Sequence, residues 1–463
     1  MIRTFALRQC GYALCIHLLC ISATSSAAAD GPDIPRGVGP LPEFAKGARA
    51  GAVVTADHIQ SYREILPKEV ADLVQQGEFA FEAVKSPHEP LRFTKVAGSQ
   101  SADARVTTSG ELQGLPANSL PSPLFNLGDS VSADSKQFAY KALWNAAAGM
   151  WSSPAFVLTL SAYIFPKADV APHKLEFELK RIHPRELGGA PGALAPVFRE
   201  KIAATKPIAI QSLAWLTLRF FGAGEDFIWV ASPVNRRIRQ MTSSNRSDPL
   251  FTGVFTPDDL LVWSGKVELV EPTSATQLPL LVPFFEGKEG APTKQDGCAL
   301  KSFESDSGVA LNHQSKRFAS AAGWAATNTI MALRHAWRIE FSSRDPFSSE
   351  SRTVLYIDRD SGLPVYRIVW DSAGRLRKVS IGIIRSLETG EGEKNQLIAG
   401  QMLVFPNEDR RVVLVSERLR DCQQYSPGLT LKDFDPQNFV TFEPRPEPQK
   451  RVEQPNKSED SSD

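Results

Sequence analysis

Pro257 is followed by two adjacent carboxylates, Asp258 and Asp259. Such a pair can do acid–base work when its members are held in different protonation states. Behind Thr256 the same residues also suit a short helical turn, with threonine as its cap and acidic side chains in its first turn. No nucleophile or base motif accompanies them, so the capped turn is the expectation. Asp358-Arg359-Asp360-Ser361-Gly362 opens like a calcium loop, but positions six and twelve fall on Leu363 and Val369. A hairpin turn fits better. His58, His88, His173, His183, His313 and His335 are dispersed without helical ligand spacing, and no metal site is expected. Nucleophile-elbow, zinc-helix, Walker and dinucleotide signatures are absent, so neither a cofactor nor a catalytic residue is assigned.

Charge points the same way. The 463 residues carry 52 Lys+Arg against 52 Asp+Glu, which argues against nucleic acid as a partner. The basic residues of "SPVNRRIRQM" must therefore be read locally. In a strand beginning near Arg236, Arg237 and Arg239 share one face and Ile238 takes the other. They are solvated side chains of a sheet, or contacts for a head group or partner protein.

The N-terminus reads as a targeting segment. Arg3 and Arg8 precede the short apolar run "CGYALCIHLLCISAT", and Ala27-x-Ala29 offers cleavage before Asp30. That order describes a secretory signal peptide over 1–29 and a periplasmic mature protein. Leu14 and Leu19 stand before Cys15 and Cys20 where a lipid-attachment motif wants a small residue, so a soluble form is favoured over an anchored one. Cleavage leaves Cys298 and Cys422, expected as one disulfide. Its loop of 124 residues (422 − 298) would contribute about 4–5 kcal/mol in the chain-entropy model.

Positioning elements follow from pattern. "TADHIQSYREIL" and "PKEVADLVQQG" form a helical pair with Thr55 as a cap, Pro67 in a first turn and Gly77 as a stop. Residues 86–135 are loop-rich, and Lys136 to Trp151 has helical composition. From Pro154 strands take over: 155–165, 174–182, the "AIQSLAWLTLRFFG" and "DFIWVA" runs, and 236–241. A second set runs from "ALRHAWRIEFSS" through "SRTVLYID", "LPVYRIVWD", "RLRKVSIGII" and "QMLVFP" to "RRVVLVSERL". Between the sets, 273–335 reads as polar loop with a helix over "KRFASAAGWAATNTIMALRHA". The expectation is one α+β domain over 30–425, an antiparallel meander with one face covered, and a disordered charged tail over 426–463.

Four motifs in order carry a resemblance. "IWVASPVNRRIRQM…DPLFTGVFTPDDLLVW" and "YIDRDSGLPVYRIVWDSAGRLRKV" resemble exported relatives of the periplasmic lipoprotein carrier. With "ADHIQSYREILPKEVADLV" and "KQFAYKALWN", residues 55–425 resemble a proteobacterial family of unknown function, domain of unknown function 1329, whose members are often labelled outer membrane lipoprotein-sorting proteins. "AVKSPHEP" stands where that family has a Thr-His-Arg element, a departure that leaves any role of that element unassigned. The resemblance implies a curved antiparallel half-barrel with helices plugging its concave, apolar face. Members of that family are typically encoded near resistance-nodulation-division exporters and outer-membrane proteins, which the resemblance makes candidate partners. In that frame Trp215, Phe221, Trp229, Trp263, Trp337 and Trp370 are the candidate ligand-lining residues, with Arg237 and Arg239 for a head group or partner. The expected function is a non-enzymatic carrier or chaperone for a lipid or other hydrophobic molecule, opening through 300–335. A ligand-free adaptor on an exporter or outer-membrane protein, and a hydrolase with scattered catalytic residues, are the rivals.

Overall fold

The computed structural model describes residues 52–83, 103–115, 123–128, 131, 135–151, 155–165, 172–183, 196–242, 249–250, 255–285, 309–311, 324–326, 329–389, 393–406, 411–417, 424–425, 428–437 and 439–440. The signal segment, Cys298, Cys422, the "KSPHEP" departure and the charged end of the tail lie outside the described residues.

In chain order the strands are β1 (Ala52–Val54), β2 (Phe79–Ala83), β3 (Arg105–Val106), β4 (Leu112–Gln113), β5 (Ala155–Phe165), β6 (His173–Ile182) and β7 (Phe198–Lys206). They continue with β8 (Ala214–Arg219), β9 (Phe227–Ser232), β10 (Arg237–Met241), β11 (Val270–Phe285), β12 (Val309–Leu311), β13 (Trp324–Ala326) and β14 (Thr329–Ser343). The last are β15 (Arg352–Asp358), β16 (Pro364–Trp370), β17 (Leu376–Thr389), β18 (Glu393–Phe405), β19 (Arg411–Glu417) and β20 (Gln424–Tyr425). Among the described residues the longer helices are a 3-10 helix at Ile59–Ile65, α1 (Lys68–Gln75) and α2 (Ser135–Trp151). Gly77, at φ +73°, follows α1 in the left-handed conformation expected of a helix stop.

Antiparallel ladders link β10 through β9, β8, β7, β6 and β5 to β19, then through β18, β17, β16, β15 and β14 to β11. The two strand sets thus join through β5 and β19, the first and last long strands. Nine of these ladders separate β8 from β14, which would place them roughly 43 Å apart on a flat sheet. Yet the segment 255–269 touches both: Trp263 packs on Phe341 of β14, and the Ser264 carbonyl accepts from Arg219 of β8. Adjacent residues span about 4 Å, so the sheet must curl around this segment. α2 bridges the same gap, with Phe138 on Trp337 of β14 and the Met150 carbonyl bonded to Arg181 of β6. The concave face is therefore the one bearing Trp337, Phe341, Arg367, Lys378, Leu403, Phe177, Trp215 and Arg219. This is the curved antiparallel half-barrel with helical cover that the sequence led us to expect.

Two expectations for 273–335 are overturned. Val270–Phe285 is a 16-residue strand, not loop, and the described residues of the helix expected over 316–336 are β13 and the start of β14. Pro272, Pro279 and Pro283 disguised β11, because proline cannot donate to a ladder. The strand pairs along its length with β14 and meets β17 at a single bridge, Phe284↔Ile384, so prolines pointing to its outer side cost no ladder bond. The Leu281 carbonyl, on the same parity, takes a bond from the Tyr366 hydroxyl at 2.7 Å. Alanines gave 316–336 its helical look; Ala332 and Ala336 are instead buried against neighbouring strands. β7 carries too many charges to stand out alone, and its buried positions Phe198, Glu200, Ile202 and Ala204 alternate with less buried ones. The fold also runs past 425: Phe434 and Phe439 are buried against the convex side of β8 and β9.

Candidate functional site: a strap across the concave face

Residues 255–269 form no regular element beyond two 3-10 turns, Pro257–Asp259 and Val267–Leu269, and serve as a strap over the concave sheet. The first turn is capped as expected, with Thr256 N–H and Oγ1 donating to Asp259 Oδ2 at 2.8 and 3.0 Å. Asp259, however, does more than cap. Its Oδ1 accepts from Arg367 Nη1 of β16 and Lys378 Nζ of β17, both at 2.6 Å. Glu350 binds the same two cations, Lys378 at 2.7 Å, and so completes a four-membered ion cluster. Gln401 of β18 grips the strap backbone twice, donating to the Asp259 carbonyl at 2.5 Å and accepting from Val262 N–H at 2.9 Å. Burial alone would raise the Asp259 carboxyl; Lys378 and Arg367 overcome that and hold it at about 2.

The other end is tied to the β8–β9 connection. Lys266 reaches Asp226 at 3.1 Å and the Gly224 carbonyl at 2.8 Å, and Arg219 pairs with Asp226 at 2.6 Å. Glu268 accepts from Gly222 N–H at 2.7 Å. Burial pushes the Lys266 ammonium down and the Glu268 carboxyl up, each opposed by the neighbouring opposite charge.

Between these ties the strap is apolar underneath. Phe255 and Leu260 pack with Phe177, Leu179, Leu403 and Phe405, while Val262, Trp263 and Val267 join the core that includes α2. Leu261 and Val262 adopt φ of +54° and +73°. A β-branched residue there is strained, at about 1–3 kcal/mol. Beside the strap lies a cleft of about 330 Å³, with Trp263, Phe341 and Phe405 on its apolar side and Asp259, Glu350, Arg367 and Lys378 on its polar side.

The six aromatics chosen from sequence do not line one cavity. Trp337 and Trp263 are each 2% exposed, filling the concave core against Phe138 and Phe341. Trp215 lies on the concave side in the adjoining cluster with Leu213 and Ile210. Phe221 is partly exposed beside Trp144 of α2. Trp229 and Trp370 face the other way: Trp229 pairs across from Leu216 in the cluster of Phe434, and Trp370 lies under Arg352 at 4.1 Å. Arg237 and Arg239 are exposed on the edge strand β10, on the concave side, with Ile238 opposite as expected. Asp358 turns the β15–β16 hairpin, accepting from Ser361 N–H at 2.9 Å and pairing with Arg334 at 3.2 Å. Sequence reasoning missed Arg367, Lys378, Glu350 and Gln401. Charged residues on otherwise apolar strands were the available signal.

A curled antiparallel sheet whose hollow is filled by one helix and an ion-tied strap defines the class of fold. Residues 53–398 match the family described as Protein of unknown function (DUF1329), and the chain belongs to that family. It is similar to a DUF1329 family protein from Desulfovibrio piger at 15% identity, over 65% of this chain and 98% of that one, with a TM-score of 0.43. An outer membrane lipoprotein-sorting protein domain, so described, from Vibrio parahaemolyticus gives 14% identity over 67% and 97%, with a TM-score of 0.42. A LolA superfamily protein from Nitrosomonas europaea gives 11% over 66% and 100%, with a TM-score of 0.35. No curated protein matches the chain.

Proposed function

We propose that the protein is a periplasmic, non-enzymatic carrier or chaperone for a lipid or other hydrophobic molecule, and that the guest takes the place of the strap on the concave face. The observation that supports this most is the nature of the cover. A stable core could be closed by a second sheet; here it is closed by irregular chain with strained Leu261 and Val262, held down by polar ties at both ends. Lifting it exposes Phe255, Leu260, Val262, Trp263 and Val267, at a cost of roughly 1.5–3 kcal/mol for each side chain. A 14-carbon chain seated in their place returns about 11 kcal/mol. The two are of the same order, which is the condition for reversible exchange.

The segment proposed to move is 255–269; the described residues of 300–335, where the sequence suggested opening, lie in β12, β13 and β14. The hydrolase reading gains a polar cleft with two carboxylates, but Asp259 and Glu350 are both bound to cations and Asp259 stays ionised. Delivery to a resistance-nodulation-division exporter rests on the family resemblance alone. Titration with an environment-sensitive fluorescent fatty acid tests the reading. Saturable uptake by the folded protein is expected, with faster uptake by Asp259→Asn, whose strap has lost its main tie. No saturable uptake by either form would overturn it.

A further inference from the structure

The basic corner of the sheet is not used by the concave site. At one edge lie the start of β6, the β7–β8 connection and the β9–β10 turn, brought together by the registers Glu176↔Lys206, Ala203↔Ala214, Ala214↔Ala231 and Ser232↔Arg237. Two aliphatic side chains stand out from its tips, Ile208 at 84% and Val234 at 78% exposed. Around them are Lys174, Lys206, Arg236, Arg237 and Arg239. Among the described residues at these strand ends the carboxylate is Glu176, and Lys174 and Lys206 hold it at 3.2 and 3.0 Å. Ile208 and Val234 are the two most exposed large hydrophobics among the described residues, and they stand on adjoining turn tips within a ring of cations.

We propose that this corner docks on an anionic phospholipid bilayer, with Ile208 and Val234 entering the interface and the arginines meeting lipid phosphates. Apolar tips supply transfer into the headgroup boundary, and each cation near a negative leaflet adds roughly fivefold in affinity. Neither contribution suffices alone, because one or two aliphatic side chains bury little area and cations alone are screened by salt. Arg237 and Arg239 lie on the concave side of β10, so a docked molecule turns the rim of its hollow to the membrane. The surface does not depend on the carrier reading: a ligand-free protein could use it equally.

Sedimentation of the purified protein with phosphatidylcholine vesicles, with and without phosphatidylglycerol, tests it. Binding is expected only to the anionic vesicles and should weaken with added salt. Replacing Arg236, Arg237 and Arg239 together by Gln should lower affinity by up to about a hundredfold at low salt. Ile208→Ser with Val234→Ser should cause a loss that low salt does not restore. Arg375→Gln, an exposed cation elsewhere at 73%, serves as the control and should stay within about twofold. All these positions are exposed, and unchanged circular dichroism confirms the fold. The proposal is overturned if wild type ignores the anionic vesicles, if the triple arginine variant binds as wild type does, or if Arg375→Gln loses as much as the corner variants. The variant with Ile208→Ser and Val234→Ser should keep uptake of the fluorescent fatty acid, which separates failure here from failure of the carrier.

Discussion

Asp259 shows how far a residue's role lies from its neighbours in sequence. The cap by Thr256 is local and was legible from Thr-Pro-Asp-Asp. The ion cluster was not, because Arg367 and Lys378 stand 108 and 119 residues away. Breaking a buried pair leaves uncompensated charge, so Asp259→Asn should lower the unfolding free energy by about 3–5 kcal/mol in urea titration. Its pH dependence has a definite sign. The folded-state value, about 2, lies below the ordinary carboxylate value, so the stability it contributes is complete above roughly pH 5 and drains as pH falls through 2. The gap between wild type and Asp259→Asn should therefore be constant from neutral pH to about 5 and narrow below 4. A gap that narrows already between pH 7 and 5 would contradict this account of the tie.

Among the elements, alternating apolar strands were readable and those with mixed signals were not. β5, β6 and β15–β17 are apolar or alternating runs that end at turn signals, whereas β11 carries prolines tolerated because its outer side lacks a continuous partner. α2 was legible from its helical composition, and it is buried nearly all round, as its Ala, Phe and Trp content permits. The strap left no periodic signal, since its conformation comes from its ties. At Gly265 a Cβ would stand 2.4 Å from Trp263 Nε1. Trp263 packs on Phe341, so room for that methyl has to come from a shift of the indole or of the strap. Gly265→Ala should accordingly cost about 1–3 kcal/mol and raise amide hydrogen exchange across 258–267 while β14–β16 stay protected. Unchanged exchange in the strap would show that it is not a separable cover.

At the scale of the whole molecule, curvature decides which side chains share the hollow. Choosing aromatics by type alone grouped Trp229 and Trp370 with Trp263 and Trp337, although the first two lie on the convex side. Parity within a strand was available from sequence, but which parity is concave depends on how β8 and β14 approach across nine ladders. Phe434 and Phe439 were likewise hidden in a charged, proline-rich tail, where two anchors suffice to hold the chain on the sheet. The central claim is that the concave face exchanges its own strap for a hydrophobic guest. Native mass spectrometry of the protein from a periplasmic extract, followed by organic extraction, tests it most directly. The account predicts a reproducible added mass that extracts as lipid and returns when delipidated protein is incubated with membrane lipids. A mass that stays that of the bare chain after such incubation would contradict it.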